Sequence, residues 1–391
     1  MMKAQVMVVA AEASSALYAE RLLDHWLQEK KDVHCFGVGT ASMEAKGFER
    51  LGKSEEMAVV GIAEVLENYS LLKSVFDSLV EEAKKRRPQF VLVLDYPDFN
   101  LRLAKEMKIL GIPVVYYVSP QVWAWRKGRI QQIKEYCDQV LLLFPFEKEF
   151  YEQAGMKHAV VGHPVVDELK AQNQSSDYRK MHRKRYGLTD DQVVIGLMPG
   201  SRPSELKLNF PTQVEAARLL YKKYSNVKIV VLCAPTVDRQ VLQTYLEEVR
   251  FPFQIIKDEP FEMIHLVDFM IATSGTATLM VGLLEKPMVI MYKLKWLTWA
   301  LAKVLVRGVK WIGLPNLILQ KEAVPEMIQQ EASPENLVKQ IGEWIDSAEK
   351  AEAVRRDLRN IRGRLGSEGV TVKVAQILES YFTHKNQGSS Q

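Results

Sequence analysis

Residues 90–100 read FVLVLDYPDFN. Four apolar residues in a row, Val91 to Leu94, lead into Asp95, and three positions later comes Asp98. So short and continuous a run suits a strand buried on both faces, as in a parallel sheet. Pro97 cannot continue a sheet ladder, so the chain turns there and a helix starts near Asn100. A carboxylate at the end of such a strand must reach water, a partner or a substrate.

The same strand–turn–helix alternation runs outward in both directions, the signature of a mostly parallel α/β sheet. In the first half, strands are expected near 5–10, 33–38, 90–95, 113–118 and 139–144, with helices near 14–30, 62–86, 100–110 and 146–154. In the second half, strands are expected near 193–198, 227–233, 253–257, 268–272 and 287–292, with helices at 211–224, 237–249, 261–266 and 276–285. Between the halves lies 167–192, polar and charged, which reads as a linker and first helix whose run RKMHRKR is a solvated face. The expected architecture is two Rossmann-like doubly wound domains, 1–166 and 193–345, facing across a cleft. Residues 346–391 form C-terminal helices with the option of crossing back to the first domain. Ligands in such folds sit beyond the C-terminal ends of the strands.

Composition bounds the function. The chain has 391 residues, 47% apolar and 26% charged, ordinary for a globular protein with a real core. A net charge of +4 is too weak to argue for nucleic acid, though it suits an anionic ligand or a membrane surface. Cys35, Cys137 and Cys233 have no metal-ligand spacing and point to a reducing compartment; no cofactor is expected. The N-terminal apolar run is short and reads as a first strand rather than a signal peptide. No uncharged apolar stretch reaches the ~18 residues of a spanning helix.

Chemistry concentrates at strand ends. Strand 193–198 ends in MPGSRPSE, where Gly200 permits a tight turn and close backbone approach, with Ser201 beside it. Arg202 follows, and a guanidinium there suits a phosphate oxygen. Strand 268–272 runs into ATSGTATLM, where Ser274, Gly275 and Thr276 form the turn into a helix. Small hydroxyl residues cap such a helix, and its free amides make an anion site. Either feature alone is as well read as a surface arginine or a plain cap; together they point to phosphate. The loop FGVGTAS (36–42) opens like a dinucleotide fingerprint but has Ser42 for the last glycine and follows the wrong strand. Asp98 reads either as an N-cap or as a general base. Residues 116–129, YYVSPQVWAWRKGR, read either as a packed aromatic loop or as a substrate clamp through Ser119, Gln121, Trp123 and Arg126.

Two segments, each open to a core-packing reading, together favour a surface that meets lipid. In 59–80, a helical stripe from Ile62 to Leu79 is widened by Val59, Val60, Leu71 and Val75 beyond a normal core face. Residues 293–311, KLKWLTWALAKVLVRGVKW, mix Trp296, Trp299, lysines and aliphatics as an interfacial helix does.

Taken in order, GVGTASMEAKGFE (37–49), DYPDFN (95–100), YYVSPQVWAWRKGR (116–129), FPFEKEFY (144–151), VGHPVVD (161–167), MPGSR (198–202), SGTATL (274–279) and LPNLIL (314–319) resemble the lipid-A-disaccharide synthases over nearly the whole chain. The resemblance implies a GT-B fold. It also implies inverting, metal-free transfer of a 2,3-diacylglucosamine unit from UDP to 2,3-diacylglucosamine 1-phosphate, forming a β-1,6 bond. It implies Asp98 as the base and the UDP site at Gly200–Arg202, Ser274–Thr276 and Asn316. Glu12 and Ser14 remain as polar contacts in the first loop. The place implied is cytoplasmic, on the inner face of the inner membrane, with that lipid surface as partner and a homodimer left open. Two stretches depart from the family pattern. Ala11–Ala16 replaces GEASGD, and Met280 replaces a glutamate that grips the ribose in related enzymes; methionine offers no such acceptor pair. Those departures keep a second reading in play, a relative that binds lipid or nucleotide without turnover.

Overall fold

The computed structural model describes residues 3–57, 69–120, 128–169, 176–294, 299 and 310–382. They fall into two compact units, Met1–Asp167 joined by Leu365–Gln391, and Glu168–Arg364.

Unit 1 is built on a parallel seven-stranded sheet in the order β3-β2-β1-β4-β5-β6-β7. The strands are β1 (Ala4–Ala10), β2 (Val33–Gly39), β3 (Glu49–Lys53), β4 (Phe90–Leu94), β5 (Val114–Tyr117), β6 (Gln139–Leu142) and β7 (His158–Val160). Every residue of β4 is fully buried, which is why its sequence is a continuous apolar run. The glycine in FGVG serves this sheet. Gly37 has φ +136° inside β2, and a Cβ there would stand 2.2 Å from the Val8 carbonyl oxygen. It allows two backbones to meet and has no part in a dinucleotide loop.

The last helix among the described residues, Val370–Glu379, packs in unit 1 against the Ala13–Gln28 helix. Trp26 meets Phe382 at 5.7 Å and Phe90 meets Tyr381 at 5.6 Å between ring centroids. The VGHPVVD stretch forms the clasp. Gly162, at φ +95°, lies where a Cβ would be 2.8 Å from the Leu365 carbonyl oxygen. The Asp167 carboxylate accepts from the amides of Gly369, Val370 and Thr371 at 2.8, 3.3 and 3.2 Å, satisfying the start of the returning helix.

Unit 2 repeats the plan with a parallel six-stranded sheet, β10-β9-β8-β11-β12-β13. Its strands are β8 (Val193–Met198), β9 (Val227–Leu232), β10 (Phe253–Ile256), β11 (Phe269–Thr273), β12 (Met288–Tyr292) and β13 (Glu326–Ile328). Each sheet therefore has the strand order of a Rossmann unit, reversing direction between its first and fourth strands.

Two expectations are corrected here. The RKMHRKR run is not simply solvated. In the Ser176–Arg185 helix, Arg183 is 1% exposed, paired with Asp268 at 2.6 Å, and donates to the carbonyls of Leu266, Thr189 and Gln192. His182 is buried too, while Lys180, Lys184 and Arg185 do face water. The second correction concerns lipid contact. In the Tyr69–Arg86 helix, Val75 is 7% exposed and Leu71 packs against the same core. The helix lies over β3, where Gly52 has no side chain to displace Val75; a Cβ there would come within 2.7 Å of it. Leu71 and Val75 widen the apolar stripe because the sheet needs a broad face, not because lipid does. Val59, Val60 and Trp296 lie outside the described residues, and Trp299 is half-buried. Among the described residues, no helix is long and apolar enough to cross a membrane.

Candidate active site

In open α/β sheets, ligands gather outside the C-terminal strand ends where strand order reverses. In unit 1 that point lies between β1 and β4, whose ends are in register at Ala10 and Leu94. The DYPDFN turn leaves β4 there in strained form. Asp95 and Tyr96 have φ of +48° and +46°, and nearby Val118, a β-branched residue, has +58°. Buried bonds hold the strain. Asn100 Nδ2 donates to the carbonyls of Leu94 and Asp95 at 3.1 and 2.6 Å, and the Tyr116 hydroxyl donates to the Asp95 carbonyl at 2.7 Å. Asp98 follows on the first turn of the Pro97–Ile109 helix. Its side chain is 76% exposed, and Oδ1 accepts from Arg129 Nη2 at 2.7 Å, a guanidinium only 10% exposed. The carboxylate is thus presented outward on a fixed mount.

Glu12 belongs to the same neighbourhood. Burial raises the Tyr96 phenol above its ordinary value, and the negative charges of Glu12 and Asp98 push the same way. The Ser15 hydroxyl, fully buried, donates to the Glu12 carbonyl at 2.8 Å and fixes the first loop. Ser119 is placed differently from expectation. Its hydroxyl is buried beside the Tyr151 phenol inside unit 1. Gln121, Trp123 and Arg126 lie outside the described residues, as does the side chain of Ser14.

In unit 2 the reversal falls between β8 and β11, in register at Met198 and Ala272. It brings the MPGSR and TSGT turns together. Gln213, fully buried, ties the strand ends by donating to the Met198 carbonyl at 3.1 Å and the Thr273 hydroxyl at 3.2 Å. Gly200 has φ +113°, and a Cβ there would stand 2.7 Å from Glu205. The Glu205 carboxylate accepts from the amides of Ser201 and Arg202 at 3.0 and 3.3 Å. Gly200 therefore makes room for a carboxylate of the chain itself, and those two amides are already engaged. What the turn offers a ligand is the Arg202 side chain, 47% exposed.

The second turn is exposed at Gly275 and Thr276, with Ser274 half-buried. No side chain caps the Ala277–Leu283 helix; instead the Thr278 amide and hydroxyl both donate to the Gly275 carbonyl, at 3.1 and 2.8 Å. The expected hydroxyl cap is thus absent among the described residues, and the first-turn amides are those that helix geometry leaves without an internal acceptor. Lys293, just beyond β12, was not anticipated. Burial lowers its ammonium below the usual range, and Nζ donates to the Thr212 hydroxyl at 2.6 Å.

Asn316 is corrected outright. It is fully buried, its Nδ2 donates to the Val324 carbonyl and Glu326, and its Oδ1 accepts from the amides of Ala323 and Val324. Two donors and two acceptor lone pairs are all the side chain has. It staples a loop and has nothing left for a nucleotide. Glu285 does not replace the carboxylate missing at Met280, because it sits beyond the helix at φ +54° and pairs with Arg359 at 2.9 Å.

Two Rossmann-type units in tandem, each with its strand-order reversal at the C-terminal strand ends, define the GT-B fold. The fold is shared with solved structures at low identity. UDP-GlcNAc 2-epimerase from Neisseria meningitidis, bound to UDP-GlcNAc, matches with a TM-score of 0.67 at 13% identity, covering 96% of this chain and all of that one. MurG of Acinetobacter baumannii matches with a TM-score of 0.59 at 13% identity, covering 96% and 99%. Sequence narrows the class. The family described as lipid-A-disaccharide synthetase matches residues 6–378. The lipid-A-disaccharide synthase of Anaeromyxobacter dehalogenans is 38% identical over 95% of this chain and 96% of its own. That of Trichlorobacter lovleyi is 38% identical over 96% and 97%. The chain belongs to the lipid-A-disaccharide synthase family, and it is a hexosyltransferase.

Proposed function

We propose that the chain joins UDP-2,3-diacylglucosamine to 2,3-diacylglucosamine 1-phosphate, with the roles divided between its two units. In unit 1, Asp98 takes the proton of the acceptor 6-hydroxyl as that oxygen attacks the anomeric carbon from the face opposite UDP. The bond to the leaving phosphate breaks as the new β-1,6 bond forms, so configuration inverts, as in one half of an inverting glycosidase. In unit 2, Arg202 and the helix start at Ser274–Thr276 counter the charge growing on the departing UDP. Glu12 is a polar contact at the acceptor side. Because both substrates carry acyl chains, the chain works at the cytoplasmic surface of the inner membrane. The lysine–tryptophan pattern at 293–311 supports that placement.

The observation that carries the reading is the Asp98 carboxylate itself, outward-facing at a strained strand end and held by a nearly buried arginine. The test is turnover in mixed micelles with both glycolipids. Wild type should release UDP and form the disaccharide, and Asp98→Ala should lose about 10²–10⁴-fold in kcat. Absence of product from folded wild type sinks the reaction; an unimpaired Asp98→Ala sinks the base.

A further inference from the structure

Unit 1 has a hollow of about 530 Å³, lined in part by Asp98; its cations Arg102 and Lys105 have no part in the proton transfer. Its walls are the Pro97–Ile109 and Gly128–Tyr136 helices. Asp98, Arg102 and Lys105 come from the first; Arg129, Gln132 and Tyr136 come from the second. Three cations face one carboxylate, and that carboxylate is already paired with Arg129. Arg102 and Lys105 are exposed and have no ion-pair partner among the described residues. The hollow is therefore positive and suited to an anion.

Spacing says which anion. Positions 98, 102 and 105 lie on one face of a helix. At ~1.5 Å per residue, Arg102 is about 6 Å and Lys105 about 10 Å along the axis from Asp98. The acceptor has its nucleophilic hydroxyl on one side of the ring oxygen and its phosphate on the other, within about 10 Å or two helical turns. With the hydroxyl against Asp98, the phosphate reaches the level of Arg102 and Lys105. We infer that Arg102, Lys105 and Arg129 form a phosphate-monoester subsite that reads the anionic end of the acceptor and sets its register against Asp98. This inference rests on the transfer reading above. Guanidinium and ammonium donors give charge-assisted bonds to such a group, and Gln132 and Tyr136 supply neutral ones.

Anionic phospholipid headgroups have the same chemistry, so the test must separate the two sources. The variant is Arg102→Gln with Lys105→Gln, both at exposed positions, its folding checked by circular dichroism. In nonionic micelles, kcat/KM is measured for the phosphorylated acceptor and for its phosphate-free glycolipid. The ratio of the two should fall about 10- to 100-fold in the variant, through the acceptor KM and not the donor KM. Glucosamine 1-phosphate should compete with the acceptor in wild type and not in the variant. An unchanged ratio overturns the subsite. So does a variant that keeps the ratio but no longer binds vesicles containing anionic phospholipid, which would assign the hollow to headgroups. If wild type turns over neither acceptor, the transfer reading fails; calorimetric binding of glucosamine 1-phosphate by wild type and not by the variant then decides the subsite separately.

Discussion

Asp98 and Asn316 show two ways a polar residue can be placed near a strand end. Asp98 is exposed and pairs with Arg129 at its tip, so its removal should leave the fold intact and act on kcat. Asn316 is saturated, so its removal leaves the amides of Ala323 and Val324 without an acceptor in a buried loop. Asn316→Ala should cost about 1–3 kcal/mol in urea unfolding. Its donor KM should stay near wild type, whereas Arg202→Ala should raise it. A third residue sets a pH response. Burial pushes His163 down to about 3, against about 6.5 in an unfolded chain. Between those values the unfolded state holds the extra proton, so stability falls as pH drops through that window. The folding constant should lose up to about tenfold per pH unit, measured by urea unfolding from pH 6.5 to 4, with a shallower slope in His163→Gln. Asp98 and Arg202 stand out in the sequence because each follows a buried apolar run, but the run alone leaves Asp98 as either a cap or a base and Arg202 as either a surface arginine or a phosphate contact. Sequence could not distinguish Asn316 as a staple, because its partners are loop carbonyls and amides that only folding brings within reach.

Elements were legible in proportion to their burial. Central strands such as β4 and β8 are covered on both faces and so leave unbroken apolar runs. Three of the four edge strands, β3, β7 and β13, are short and half-exposed, with sequences ERLGK, HAV and EMI, and no hydrophobic pattern marks them. A wide apolar stripe also proved ambiguous, since a helix over a sheet and a helix on a bilayer bury similar widths. Val75→Asp separates the two. Its core position predicts a loss of at least about 2 kcal/mol in unfolding free energy, whereas a lipid-facing valine would leave stability unchanged and weaken vesicle binding. Gly200→Ala belongs at the same scale. The left-handed backbone and the nearby Glu205 leave no room for a methyl, so the turn should shift and the UDP-sugar KM should rise with a stability loss of about 1 kcal/mol or more.

At the scale of the molecule, the two sheets were visible in the sequence, whereas the return of the C-terminal helices to unit 1 was only one option there. Residues 365–382 show no apolar run that announces a destination. The clue was VGHPVVD, whose glycine and aspartate make sense only once Leu365 and Gly369–Thr371 are set against them. Ending the chain after Arg364 should expose Trp26 and Phe90 and open unit 1 to limited proteolysis, while a fragment of 168–364 survives. Asp167→Ala should give a milder loss of about 0.5–2 kcal/mol, as for a missing helix cap. The clasp also fixes an order of events in the living cell. Unit 2 is one uninterrupted stretch and has all its residues while the ribosome is still at work. Unit 1 is translated first, yet it waits for the Val370–Glu379 helix, which is made only after all of unit 2. The half of the enzyme that carries Asp98 thus matures after the other, and a nascent chain stalled just short of Leu365 holds a complete unit 2 beside an incomplete unit 1.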